Sequence, residues 1–515
     1  MHKLEAAVKT LADQVSAPMV LQALRDEEPS THDHVPQGQD RQELGEEHSS
    51  QWEIVVDGDA GPEAPPGSYL SRPATSTTPR HRDMITRGII SYEKAQSCLN
   101  LYQKRLDHFP YRILADQAAI CAVSSLHMAT SDFDACYEEF FSTHSKRNFA
   151  RDTTLDDVRA VCIGAFWLSD ISWSLIGTAV RIATELQLQK SFVKALEGDR
   201  QHYLRTRLYL LVYACDHHFS IPFGRPPMTR ECGTIRNVRK FLDCEHATED
   251  DARLVSQVLR WSLCTNVFDT YDIDIDRPLT APHIAQLRTF CMSLDSLRAE
   301  WGARFTPNVH VGNYPRKGVG LQCDFAKLYL CSHAFRGTGV AHSTNRSQEA
   351  ALVIDNIAHE GIISALSIIR IVTTDKEVQT FFDGLPTYFD IMLAFSVVFL
   401  FKISTRYGAL FRIDGEATKR SVHELVHVLK RITAGMHPRH LLVSLTEGID
   451  ELLQRWDLGG QIGSRVEVPV LRQESQGTGE EMGDGLDWFD GIIDPVFMGE
   501  YDLLMGQDVD FPFEN

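Results

Sequence analysis

Three groups of residues in this chain have the types and spacing to do chemistry. His423-Glu424-Leu425-Val426-His427 is an HExxH pattern. On a helix it sets two imidazoles at i and i+4 on one face beside a carboxylate, the arrangement of a zinc peptidase, and Glu447 would then offer a third ligand. Asp216-His217-His218 places an acid next to two imidazoles, a set suited to metal binding or proton transfer. The 11 cysteines are the third source of ligands, yet the closest two, Cys323 and Cys331, lie eight residues apart and no Cys-x-x-Cys occurs. Metal-knuckle spacing is therefore absent, and scattered thiols point to a reducing compartment rather than a disulfide framework. Gly318-Val-Gly320 and Gly337-Thr-Gly339 are too short for a dinucleotide fingerprint, and no P-loop, nucleophile elbow or calcium loop is present.

The elements that would hold these residues argue against catalysis. Around the HExxH, Val422, Leu425, Val426, Leu429 and Ile432 form an apolar stripe, which leaves His423 and His427 at its half-exposed edge. Lys419 and Arg420 beside them oppose a bound cation. Asp216 sits in Tyr203–Met228, where Leu204, Leu208, Leu211, Cys215 and Phe219 recur at helical spacing and Tyr209, Leu210, Val212 and Tyr213 fill the other faces. A helix apolar nearly all round is buried. A carboxylate there needs a partner, so Asp216 is expected to form an ion pair with Arg181, Arg205 or Arg225, and the two histidines to be core-satisfied or favoured by the helix dipole. Ile221 to Pro227 ends the helix, with Gly224 free to take positive φ and Arg225 held extended by Pro226. No catalytic or metal-binding residue is assigned, and no cofactor is expected in this chain.

The rest of the chain reads as helical. Helical periods run through Gln117–Met128, Phe133–Thr143, Leu155–Leu168, Ser174–Leu188, Asp250–Asp269, Ile284–Trp301, Phe325–Phe335, Ser347–Thr373, Tyr388–Tyr407, Glu416–Gly435 and Leu445–Trp456. Ser91 is placed to cap a first helix. Asn308–Gly320 reads as a long loop acting as lid or crossover. Strand signals are sparse, so the fold class is all-α: one large helical domain over 84–460 between flanks without the makings of a core. The apolar run Ile391–Phe401 falls far short of the ~20 residues a membrane span needs and reads as a buried helix; no membrane partner is expected.

Two motifs carry a family resemblance. Arg205-x-Arg207-Leu208-Tyr209, followed by Tyr213, Asp216 and Gly224-Arg225-Pro226, resembles the central motif of the regulatory, or middle homology, domain of fungal Zn2Cys6 transcription factors. Gly177-x-Ala179-x-Arg181-x-Ala183-x-x-Leu186-x-Leu188 resembles the same domain's other signature. Tyr209 and His217 replace the commoner Trp and Arg, as in a subgroup similar to weak-acid-response and protease-gene activators. The resemblance runs from about Met84 to about Leu458. It implies a nuclear regulator of RNA polymerase II genes, with Arg205, Arg207, Asp216, Gly224, Arg225 and Pro226 as structural motif residues. It also implies a response to a small-molecule effector. DNA would be met only through a zinc cluster that this chain lacks, and zinc is expected only with such a cluster upstream.

Charge and the chain's two ends complete the reading. The net charge is −19, but residues 1–83 carry 15 acidic and 7 basic side chains and residues 474–515 carry 12 acidic and none basic, which leaves the body near neutral. Such a body has no broad basic face for phosphates. Leu4, Val8, Leu11 and Val15 make a short heptad seam in residues 1–17, a route to a homodimer. Residues 18–83, rich in acids, Pro, Gly, Ser and Thr, read as a disordered linker. In 461–515, acids alternate with Leu486, Trp488, Phe489, Ile492, Phe497, Tyr501, Leu503, Leu504, Phe511 and Phe513. This pattern reads as a disordered activation tail that meets coactivator or mediator grooves. The alternatives are a helical protein-binding scaffold without DNA contact and, through the HExxH alone, a metallopeptidase.

Overall fold

Helix starts in this chain coincide with residues able to take up the free amides of a first turn. Ser91 accepts from Lys94 N at 3.3 Å, Asp116 from Ala119 N at 2.9 Å, Asp199 from His202 N at 3.0 Å and Asp414 from Ala417 N at 2.9 Å. Thr154 with Asp157, and Thr248 with Asp251, form full capping boxes. The computed structural model describes residues 84–150, 152–271, 278–336, 348–411 and 413–462. The heptad seam of 1–17, the linker of 18–83 and the tail residues from Leu486 to Phe513 lie outside the described residues.

From these starts run α1 (Tyr92–Lys104), α2 (Gln117–His127), α3 (Phe133–Arg147), α4 (Leu155–Trp167), α5 (Ser172–Glu185), α6 (Phe192–Leu196) and α7 (Arg200–Ser220). They are followed by α8 (Gly233–Arg236), α9 (Glu249–Thr270), α10 (Ala281–Trp301), α11 (Tyr314–Ser332), α12 (Gln348–Thr374), α13 (Lys376–Phe381), α14 (Thr387–Phe411), α15 (Gly415–Thr433) and α16 (Leu441–Ile462). No β-strand occurs among the described residues; a lone bridge pairs Asn308 with Gly312. The fold is all-α. α7 packs against α4, α5, α6 and α9; α9 passes to α11; and α11, α12 and α14 form the second half of the core with α15 and α16 outside them. One continuous apolar cluster runs through both halves, from Met84 to Trp456.

One expectation changes and a second stands on different grounds. Residues 314–320 are not loop, because α11 starts at Tyr314, eleven residues before the helix expected at Phe325. Pro315 stands in the first turn, where its missing N–H satisfies nothing in any case. A Cβ at Gly318 would lie 2.7 Å from the Tyr314 ring. The Pro-Gly signal therefore marks a helix start and a close contact rather than a breaker. Second, α14 and α12 are each long and apolar enough to cross a membrane, but 83% of the relevant α14 window is buried inside the protein. Val397, Leu400 and Ile403 are wholly enclosed by neighbouring helices, so α14 is a core helix, as its buried reading has it.

Candidate functional site

The motif on α7 is a set of ties to its neighbours. Arg205 donates to Ser191 Oγ at 3.0 Å and to the Leu186 carbonyl at 2.6 Å, fixing the end of α5. Arg207 pairs with the fully buried Asp251, which also accepts from Tyr203 OH at 2.6 Å and from its own capping partner Thr248. A second Arg207 nitrogen reaches the carbonyl of Tyr111. That carbonyl belongs to a pair of left-handed residues, Tyr111 (φ 61°) and Arg112 (φ 60°), each at a cost on the order of 1–3 kcal/mol. The motif arginine thus clamps a strained turn 96 residues away in sequence.

Asp216 does not meet an arginine. Its Oδ2 accepts from Thr229 N and Thr229 Oγ1, both at 2.7 Å, and its Oδ1 accepts from Ser220 Oγ at 3.1 Å. The expected ion pair is replaced by hydroxyls and an amide because the arginines are committed elsewhere. Arg181 grips Glu185 at 2.8 Å, Arg205 and Arg207 face outward from α7 to other helices, and Arg225 lies over the Trp173 ring at 4.3 Å. Gly224 takes φ 62° and Arg225 N donates to the Ser220 carbonyl at 2.9 Å, so the chain doubles back against α7 while Pro226 stays exposed. The gap beside Arg225, between Trp173, Phe223 and Thr387, is about 20 Å³, room for a single water and not a metabolite.

His217 and His218 are completely buried. Burial pushes His217 down to about 4 and His218 well below the usual imidazole range, so both are neutral and the helix-dipole reading fails. His217 Nδ1 lies 2.7 Å from the Tyr213 carbonyl. His218 stacks on Tyr388 at 3.7 Å and accepts from Trp261 Nε1 at 3.1 Å. The same network continues through Gln322, which donates to Tyr388 OH at 2.9 Å and accepts from the buried Arg260 at 2.6 Å. Trp261 and Tyr388 are not legible in the sequence as partners of α7, since their pairing with His218 spans 43 and more than 100 residues and no local pattern announces it. The arrangement is a locked polar core.

The HExxH is assembled on α15, but His423, Glu424 and His427 are all exposed. His423 Nε2 faces Asp457 at 3.3 Å, and Lys419 holds that same carboxylate. Glu447, also exposed, does not join them; among the described residues no group of potential ligand atoms gathers at this motif. A cleft of about 490 Å³ opens instead between α1, the Asn308–Gly312 turn and α13, lined by Leu101, Lys104, Arg105, His310 and Phe381. That is the size of a small-molecule site.

Over 436 residues, 78% of its length, the chain is 32% identical to the transcriptional activator of proteases prtT of Emericella nidulans. It resembles a transcriptional activator. The chain spans 64% of that relative's length. No family model matches it and no solved structure matches it.

Proposed function

We propose that this chain is a transcription regulator whose helical body restrains or releases an acidic activation tail. The carrying observation is the 32% identity to a protein named as a transcriptional activator, held over 436 residues. That extent cannot come from a short shared motif. The ties made by Arg205, Arg207 and Asp216 support a scaffolding role for the motif. The HExxH stands exposed on α15 with His423 turned to Asp457, which supports a reading without peptidase chemistry. Protease genes are the first targets to examine, given the relative's name, and the nucleus is the compartment in which the chain would act. DNA would be reached through a zinc cluster, because residues 84–473 carry nearly balanced charge. The α1–α13 cleft is the place we assign to a small effector.

In this reading the acids around Trp488 and Phe489 keep these rings solvated until a coactivator groove accepts them. Tethering Gly483–Asn515 to a neutral DNA-binding module should activate a reporter gene. Replacing Trp488 and Phe489 with Ala should remove most of that activity. Unchanged activity in the double variant would sink the assignment of the tail.

A further inference from the structure

Cys291 on α10 and Cys331 on α11 hold their Sγ atoms 4.0 Å apart in the core. Glu360 on α12 brings a carboxylate to the same point. The three ligand atoms lie within 4.8 Å of one another, and no other group of three does so among the described residues. Convergence depends on Gly361. A Cβ there would lie 2.9 Å from the Cβ of Cys331, so glycine is what lets α12 close on α11 beside Glu360.

The place is built for a cation. Lys327, one turn before Cys331, puts Nζ 2.7 Å from Glu360 and 2.9 Å from Asp295, the latter one turn after Cys291. Two carboxylates and two thiols thus surround one ammonium. The sulfur spacing separates two chemistries. A disulfide needs the sulfurs at about 2.05 Å. Two thiolates on one tetrahedral zinc, at ~2.3 Å each, stand about 3.8 Å apart. The observed 4.0 Å is within a small side-chain adjustment of the second.

We propose that Cys291, Cys331 and Glu360 form a binding site for a thiophilic divalent cation, zinc in particular, for which the Lys327 ammonium competes. Metal entry deprotonates both thiols, releasing two protons, and Lys327 gives up Glu360 while keeping Asp295. The bound ion would join α10, α11 and α12 in the half of the core away from the α7 motif. Water completes the coordination.

The test uses the 515-residue chain, stripped of metal under reducing conditions and titrated with zinc against a chromophoric chelator, then with cobalt(II). One equivalent should bind, with a thiolate-to-cobalt charge-transfer band and release of two protons per zinc. C291A and C331A should each abolish it. E360Q, at an exposed position that does not threaten folding, should weaken binding roughly tenfold or more. K327M should tighten it, an effect that merely packed thiols would not produce. Three results would overturn the proposal: no zinc bound in excess of the C291A/C331A double variant, affinity unchanged by K327M, or a Cys291–Cys331 disulfide formed in place of metal uptake. Loss of the equivalent in H423A rather than C331A would move the site to the HExxH and overturn it equally.

Discussion

Removing the Asp216 carboxylate should uncouple α7 from the chain that leaves it, and the size of the effect follows from who is left behind. In Asp216→Ala the amide and the hydroxyl of Thr229, both now at 2.7 Å from Oδ2, lose their acceptor in a buried site. Ser220 loses less, because its hydroxyl can turn to the carbonyl one helical turn back, as Ser and Thr side chains often do. Two orphaned donors at about 1–3 kcal/mol each give a loss of roughly 2–6 kcal/mol. Thr229→Val removes the hydroxyl but keeps the amide bond and should cost about 1–2 kcal/mol. The two changes share one interaction, so the double variant should be less damaging than their sum by about 1 kcal/mol or more. Paired with a change at Arg205, Asp216→Ala should instead be additive within a few tenths of a kcal/mol. Urea unfolding followed by tryptophan fluorescence measures all of these, provided the slope with denaturant is unchanged. A loss below 1 kcal/mol for Asp216→Ala would refute the reasoning. So would coupling to an arginine in place of Thr229, which would restore the ion pair that residue types alone suggest.

Acid should unfold the protein well above the usual carboxylate range. His217 and His440, held down to about 4 by burial, His333, held to about 3, and His218, held well below the usual imidazole range, must take up protons on unfolding. Their contribution is complete above pH ~6.5 and is lost as pH falls toward 4, at about 1.4 kcal/mol per unit for each histidine not offset. Asp107, pushed up to about 7, and Asp390, pushed by burial well above the usual carboxylate range, act in the opposite direction and soften the loss; thermal unfolding that is flat from pH 7 to 5 would contradict this. Gly164→Ala should destabilise by about 1–3 kcal/mol, since its Cβ would enter the Phe140 ring at 2.5 Å and Leu175 at 2.9 Å. Gly177→Ala, with nothing nearer than Met228 Sδ at 3.9 Å, should stabilise by about 1 kcal/mol, and melting temperatures of the pair check both. Arg207→Met should cost about 3–5 kcal/mol by leaving the Asp251 carboxylate without its cation in the core, and hydrogen exchange around Tyr111 should rise with it.

How far the sequence carried this reading depends on the range of each interaction. Caps and apolar periods act within a turn or two, so Ser91, the buried α7 and the left-handed Gly224 could be read directly. At α11 the sequence misleads, because Pro315 and two glycines are local signals with two meanings. Only the Tyr314 ring over Gly318, and the room Pro has in a first turn, select the helical one. Asp216 shows the limit more sharply. Its residue type and burial correctly demand partners, but arginine and threonine both answer that demand, and the choice is made by where α5 and α9 stand. Arg207 finds Asp251 because α9 begins beside α7, with its capping box already gathering donors on that carboxylate. With Arg181 committed to Glu185 and Arg205 to Ser191 and the Leu186 carbonyl, the carboxylate of Asp216 is left to the chain that folds back after Gly224. The same dependence on neighbouring helices governs Cys291 and Cys331. Forty residues apart and without knuckle spacing, they are scattered thiols in sequence, and only the close approach of α12 at Gly361 makes them, with Glu360, a place where an ion can be held.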